Sequence, residues 1–126
     1  NPKIKVIGVQ SEQAPAVYLS WKEGEIVEAP MRSHAEGLAT GSGYQTTLDI
    51  LTEQLDDFVL VSDDEMDQAV ILHLENTHNL TEHAGAASLA GAVKIKDQLA
   101  GKKVVLIMSG GNLSMQQLKE LLEKHG

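Results

Sequence analysis

Two short runs in this 126-residue chain combine glycine with side chains able to hold a ligand. Ser109-Gly110-Gly111-Asn112 follows an apolar run, Lys103 to Met108. If that run is a strand of an open parallel sheet, the four residues lie at the edge where such sheets bind ligands. Two glycines let backbone approach a ligand closely, and the Ser109 hydroxyl can donate or accept one hydrogen bond. The same residues also read as a plain strand-to-helix turn. They lack the Gly-Lys-Ser/Thr ending of a nucleotide phosphate loop. The second run, Glu82-His83-Ala84-Gly85-Ala86-Ala87, opens an Ala-rich segment. A carboxylate there is favourable at a helix N-terminus on electrostatic grounds alone.

The five histidines raise the question of a metal. His73, His78 and His83 are spaced so that a helix would turn each by roughly 140° from the last, and they share no face. No His-x-x-x-His pair or carboxylate-rich loop supports them, so no metal site is expected. Asp63-Asp64-Glu65 reads as a solvated helix start. Nothing marks a nucleophile elbow.

These runs need elements to position them, and strand and helix signals alternate along the chain. Lys5 to Val9 is a β-branched run typical of a buried strand. Ala14 to Lys22 predicts a helix closed by Gly24, and Gly37, Gly41 and Gly43 mark a loop region. Tyr44, Leu48, Leu51 and Leu55 fall on one helical face. Asp57 to Val61 predicts a second strand, and Ser62 and Glu65 form a capping box for the helix after it. That helix puts Met66, Ala69, Val70, His73 and Leu74 on one side. Ala84 to Leu99 predicts a closely packed helix ended by Gly101. Lys103 to Met108 is the clearest strand signal, and Ser114 with Gln117 caps a last helix. Apolar strands alternating with helices imply an α/β chain with a mainly parallel sheet.

The formal net charge of −8 disfavours nucleic acid as a partner. With no cysteine there is neither a disulfide framework nor a thiolate metal site. No apolar stretch approaches the roughly 20 residues of a membrane span, and no signal peptide is present. The sequons at Asn79 and Asn112 then read as chance. Aromatics are 3% of residues, so the core must come from Val, Ile, Leu, Ala and Met. The chain opens directly into an apolar strand without an initiator Met, which suggests a fragment or a processed chain.

Five segments in order resemble the fold-type-II pyridoxal-phosphate enzymes, specifically the threonine/serine dehydratase group. They are Val6 to Ser11, Ala35 to Ala39, Leu55 to Glu65, Glu82 to Ala87, and Val104 to Asn112. Ala14 to Lys22 looks closer to bacterial threonine dehydratases than to animal serine racemases. The resemblance implies the C-terminal portion, residues 1–126, of a large cofactor-binding domain with a doubly wound, tryptophan-synthase-β-like sheet. It implies pyridoxal 5′-phosphate as cofactor. Ser109 would hydrogen-bond the pyridine nitrogen, Glu82 would lie beside the ring, Gly37 would line it through its backbone, and Gly110 would adjoin it. The family's Schiff-base lysine, small domain and Gly-rich phosphate loop belong upstream of the segment matching Asn1, so no catalytic residue is expected in these 126 residues.

The implied reaction removes the Cα proton and the β-hydroxyl of L-threonine or L-serine and releases a 2-oxo acid and ammonia. A role in amino-acid metabolism such as isoleucine biosynthesis, a cytoplasmic location and a homo-oligomer go with it. Two alternatives stay open: a serine or aspartate racemase of the same fold, and a non-catalytic binding or interaction module. Some positions depart from the family. Gln10 and Ala16 stand where serine racemases carry carboxylates for a divalent cation, Glu36 replaces the usual aspartate before Gly37, and His83 replaces the usual proline or glycine after Glu82.

Overall fold

A computed structural model describes Asn1 and residues 3–126. Strand β1 (Ile7–Ser11) pairs in parallel with β2 (Asp57–Val61), with Ile7 opposite Asp57 and Ser11 opposite Val61. Between them run α1 (Ala16–Glu23), a 3-10 turn (Glu36–Leu38) and α2 (Gln45–Gln54). After β2 come α3 (Asp63–Thr77), α4 (His83–Lys94), the single-turn α5 (Lys96–Leu99) and α6 (Met115–His125). This is the α/β order that the sequence predicts.

Side chains alternate across a strand, so the two faces of the sheet separate cleanly. On one face Phe58 meets the rings of Tyr18 and Trp21 from α1, at 5.7 and 5.8 Å between centroids. On the other, Val9, Val59 and Val61 pack against α3 and α4. Gly91 of α4 lies so close to Val9 that an added Cβ would come within 2.8 Å of its side chain. Met66, Val70 and Ala86 are fully buried between the two helices and the sheet. Helices therefore cover both faces of the strand pair, the arrangement of a doubly wound fold.

Local signals hold where a nearby partner satisfies them. Gly24 ends α1 at φ 76°, a left-handed conformation that suits glycine. Ser62 Oγ accepts from the Glu65 amide while the Glu65 carboxylate accepts from the Ser62 amide, which completes the capping box of α3. Ser114 and Gln117 do the same for α6. Met66, Ala69, Val70 and His73 are buried, as their helical stripe predicts. On α2 only Leu48 is buried, and Tyr44 lies out in solvent.

Two expectations fail. The helix expected from Ala84 to Leu99 breaks at Ile95, which leaves α4 and the short α5. More important, Lys103 to Met108 forms no strand. Among the described residues it has no ladder partner, and Val105 and Ile107 are 85% and 69% exposed. A strand needs a neighbour's backbone groups, and apolar side chains supply none. What holds the run is a side chain: Ser88 Oγ donates to the Ile107 carbonyl at 2.8 Å.

Candidate functional site

Asp63, the first residue of α3, lies two residues past β2 and ties the carboxyl end of the sheet to the loop before the 3-10 turn. Its carboxylate accepts from Ser33 Oγ at 2.6 Å, from the His34 amide at 2.9 Å and from Ser11 Oγ at 3.2 Å. Burial would raise its pKa, but the donors Ser33 and His34 outweigh burial and hold the carboxyl below its usual range. The loop carrying His34, Ala35, Glu36 and Gly37 is thereby fixed beyond the strand ends.

The start of α4 closes the other side. Glu82 is the N-cap residue, yet its side chain makes no capping bond. The Gly110 carbonyl accepts from both the Glu82 amide at 3.1 Å and Thr81 Oγ1 at 2.8 Å. A side chain at Gly110 would collide with the Glu82 carboxylate. One at Gly85 would press within 2.6 Å of the Gly110 carbonyl, and one at Gly37 within 2.9 Å of Ala84 Cβ. Three glycines thus allow the loop at 37, the N-terminus of α4 and the segment at 110 to meet. Gly37 meets Ala84 and Gly110 meets Glu82, so both pack against the start of α4. Ser109 adjoins them in the chain and is exposed. A cleft of about 200 Å³ opens here, lined among others by Ala35, Glu36, Glu82, Ala84 and Asn112.

The half-buried Glu82 carboxylate and the Asn112 amide line the cleft, polar groups able to hold the edge of a cofactor ring. Two lysines are engaged elsewhere. Lys94 pairs with Glu65 at 3.0 Å, and Lys124 with Asp64 and Asp67 at 2.8 and 2.9 Å, which pushes the Lys124 pKa up to about 12.

His34, Asp67 and His83 also line up beside this cleft, a grouping that residue spacing did not reveal. They come from three elements, so no sequence period connects them. One signal was available: Asp67 lies in the apolar stripe of α3 between Met66 and Val70, and it is 4% exposed. Burial, then the neighbouring His34, push the His83 pKa down. Gln10, at a position where the resemblance places a metal carboxylate, uses its amide differently. Its oxygen accepts from the Tyr18 amide at 2.8 Å and its nitrogen donates to Thr40 Oγ1 at 3.2 Å.

Residues 1–110 match the family model described as pyridoxal-phosphate dependent enzyme. The chain is 34% identical to the L-threonine ammonia-lyase of Thermotoga maritima, over 98% of its own length and 31% of that protein. Among solved structures, the processed form of threonine deaminase isoform 2 from Solanum lycopersicum superposes with a TM-score of 0.90 at 30% identity, covering 99% of this chain and 37% of that one. The serine racemase of Dictyostelium discoideum superposes at 0.81 with 34% identity, covering 91% and 37%. The chain therefore spans less than two-fifths of each of these proteins.

Proposed function

The chain belongs to the pyridoxal-phosphate-dependent enzymes, and on that premise we propose that it is the C-terminal portion of the large cofactor-binding domain of an L-threonine/L-serine ammonia-lyase. The observation that carries this reading is the packing of Gly37 and Gly110 against the start of α4, at Ala84 and Glu82, where a cleft opens beyond the strand ends. The likeness to an L-threonine ammonia-lyase and a threonine deaminase supports it.

Pyridoxal phosphate, when bound, supplies the electron sink that stabilises the charge left as the Cα proton departs. Ser109 would offer its hydroxyl to the ring nitrogen. A neutral hydroxyl does not favour the protonated ring as a carboxylate would, so the sink is moderate and loss of the β-hydroxyl competes well with reprotonation. Gly37 would line the ring with backbone alone. Gly110, lacking a side chain, leaves room for the Glu82 carboxylate beside the ring. The lysine that bonds the cofactor would come from another segment of the parent enzyme, as the family resemblance implies. The same reading makes the parent a cytoplasmic homo-oligomer acting on an amino acid. Among the described residues no helix is long and apolar enough to cross a membrane.

A serine racemase is the second reading, favoured by the likeness to the Dictyostelium protein. Against it, Gln10 offers an amide already bonded to Tyr18 and Thr40 in place of a metal-binding carboxylate. Product analysis on the parent enzyme separates the two: 2-oxo acid and ammonia against the D-amino acid. In the same enzyme Ser109→Ala should lower cofactor affinity or turnover roughly tenfold to a hundredfold, and Ser109→Asp should shift the product ratio away from β-elimination. Wild-type turnover and product ratio in both variants would remove Ser109 from the site.

A further inference from the structure

We propose that His34, Asp67 and His83 form a binding site for one divalent transition-metal ion of the zinc class at one wall of the cleft. Asp67 Oδ1 lies 2.8 Å from His34 Nε2 and 3.4 Å from His83 Nε2. Ligands around a tetrahedral Zn²⁺, with bonds of about 2.0–2.2 Å, stand about 3.3 Å apart. The His83 pair already has that separation, and the His34 pair reaches it by opening about half an ångström. The imidazole rings cross at 4.4 Å between centroids, so both nitrogens converge on one carboxylate oxygen.

His34 Nδ1 faces Asp63 Oδ2 at 3.3 Å, while its Nε2 faces Asp67. A histidine whose second nitrogen is held by a carboxylate is the usual posture of a zinc-ligating imidazole. Asp67 and His83 are buried, and Asp63 and Glu82 add negative charge near His83. Lys124 takes the other oxygen of Asp67, Oδ2, at 2.9 Å, so Oδ1 remains for a single metal bond. The cleft lined by both histidines leaves a fourth position for water. A neighbouring group, Asp64, Asp67 and His125, is no rival, because the Lys124 ammonium already sits against both of its carboxylates.

Such an ion would bind three elements together: the loop leading to Gly37, the core helix α3, and the start of α4 beside Glu82. The test is calorimetric titration of Zn²⁺ into the metal-stripped full-length protein, with Co²⁺ as a spectroscopic substitute. One Zn²⁺ per chain and a Co²⁺ visible band are expected. His34→Gln, at a half-exposed residue that should not disturb folding, and His83→Gln should each abolish the band. Asp63→Asn, which alters the group facing His34 Nδ1, should weaken binding by about tenfold to a hundredfold. His78→Asn, at an exposed histidine outside the group, should change nothing. The proposal fails if no saturable binding is found, in which case a hydrogen bond between His34 Nε2 and Asp67 accounts for the geometry. It fails equally if His34→Gln and His83→Gln bind Zn²⁺ like the wild type. Neither result bears on the cofactor reading, which the Ser109 variants test separately.

Discussion

Two apolar regions of similar composition meet opposite fates in this chain. The stripe of α3 with Val61 is sealed, with Met66, Val70 and Val61 at 0% exposure. The run Val104 to Met108 lies largely in solvent, every one of its five residues exposed. Apolarity is common to both, so it does not explain the difference. Residues of α3 find α4 within a short connection, and the small residues Ala86, Ala87 and Ala90 let the helices approach closely. The 104–108 run meets α4 through the Ser88 hydroxyl and, among the described residues, gains no backbone ladder. Burial depends on which surfaces the chain can bring together, and an exposed apolar strip of this kind is a surface open to association.

That contrast can be tested by substitution. Met66→Ala, which empties a closed part of the core, should cost about 2–5 kcal/mol in chemical denaturation. A much smaller loss would mean the α3–α4 core is loosely packed. Gly85→Ala forces a methyl against Thr81 and the Gly110 carbonyl, and should cost about 1–3 kcal/mol. It should also disturb the cleft, read as weaker cofactor uptake in the parent enzyme. Ser62→Ala removes half of the α3 capping box and should cost about 1 kcal/mol, measurable as a lower denaturation midpoint at unchanged slope. Val105→Thr should change the stability of the 126-residue chain by no more than about 0.5 kcal/mol. A larger loss would show that the 104–108 run is buried in solution, by self-association, and sedimentation of the same variant would then report a smaller species.

Much of the molecule was legible in advance wherever the deciding contact is local. Gly24 at φ 76° and the Ser62–Glu65 box involve residues within one turn of each other. β2 was read with its observed bounds, and the family resemblance pointed to Gly37, Glu82 and Gly110, of which Gly110 packs against Glu82. Legibility ended where the partner is remote. Tyr44 has the right spacing for a buried face and is exposed because nothing covers it. The break at Ile95 was not foreseen, and no feature of the structure accounts for it. The His34–Asp67–His83 group escaped a search along the chain because its members share no helix.

The sequence by itself determined the alternation of strands and helices, the caps, the small-residue face of α4 and the resemblance to a pyridoxal-phosphate family. Each follows from dihedral preferences, side-chain size or hydrogen bonds across a few residues. Tertiary structure alone decided that Asp67 is buried beside two histidines, that Gly110 must lack a side chain because Glu82 occupies its place, and that the strongest strand signal forms no strand. These outcomes hang on distances between segments 16 or more residues apart, which no local preference encodes. A β-strand is the plainest case, since half of its hydrogen bonds belong to its neighbour.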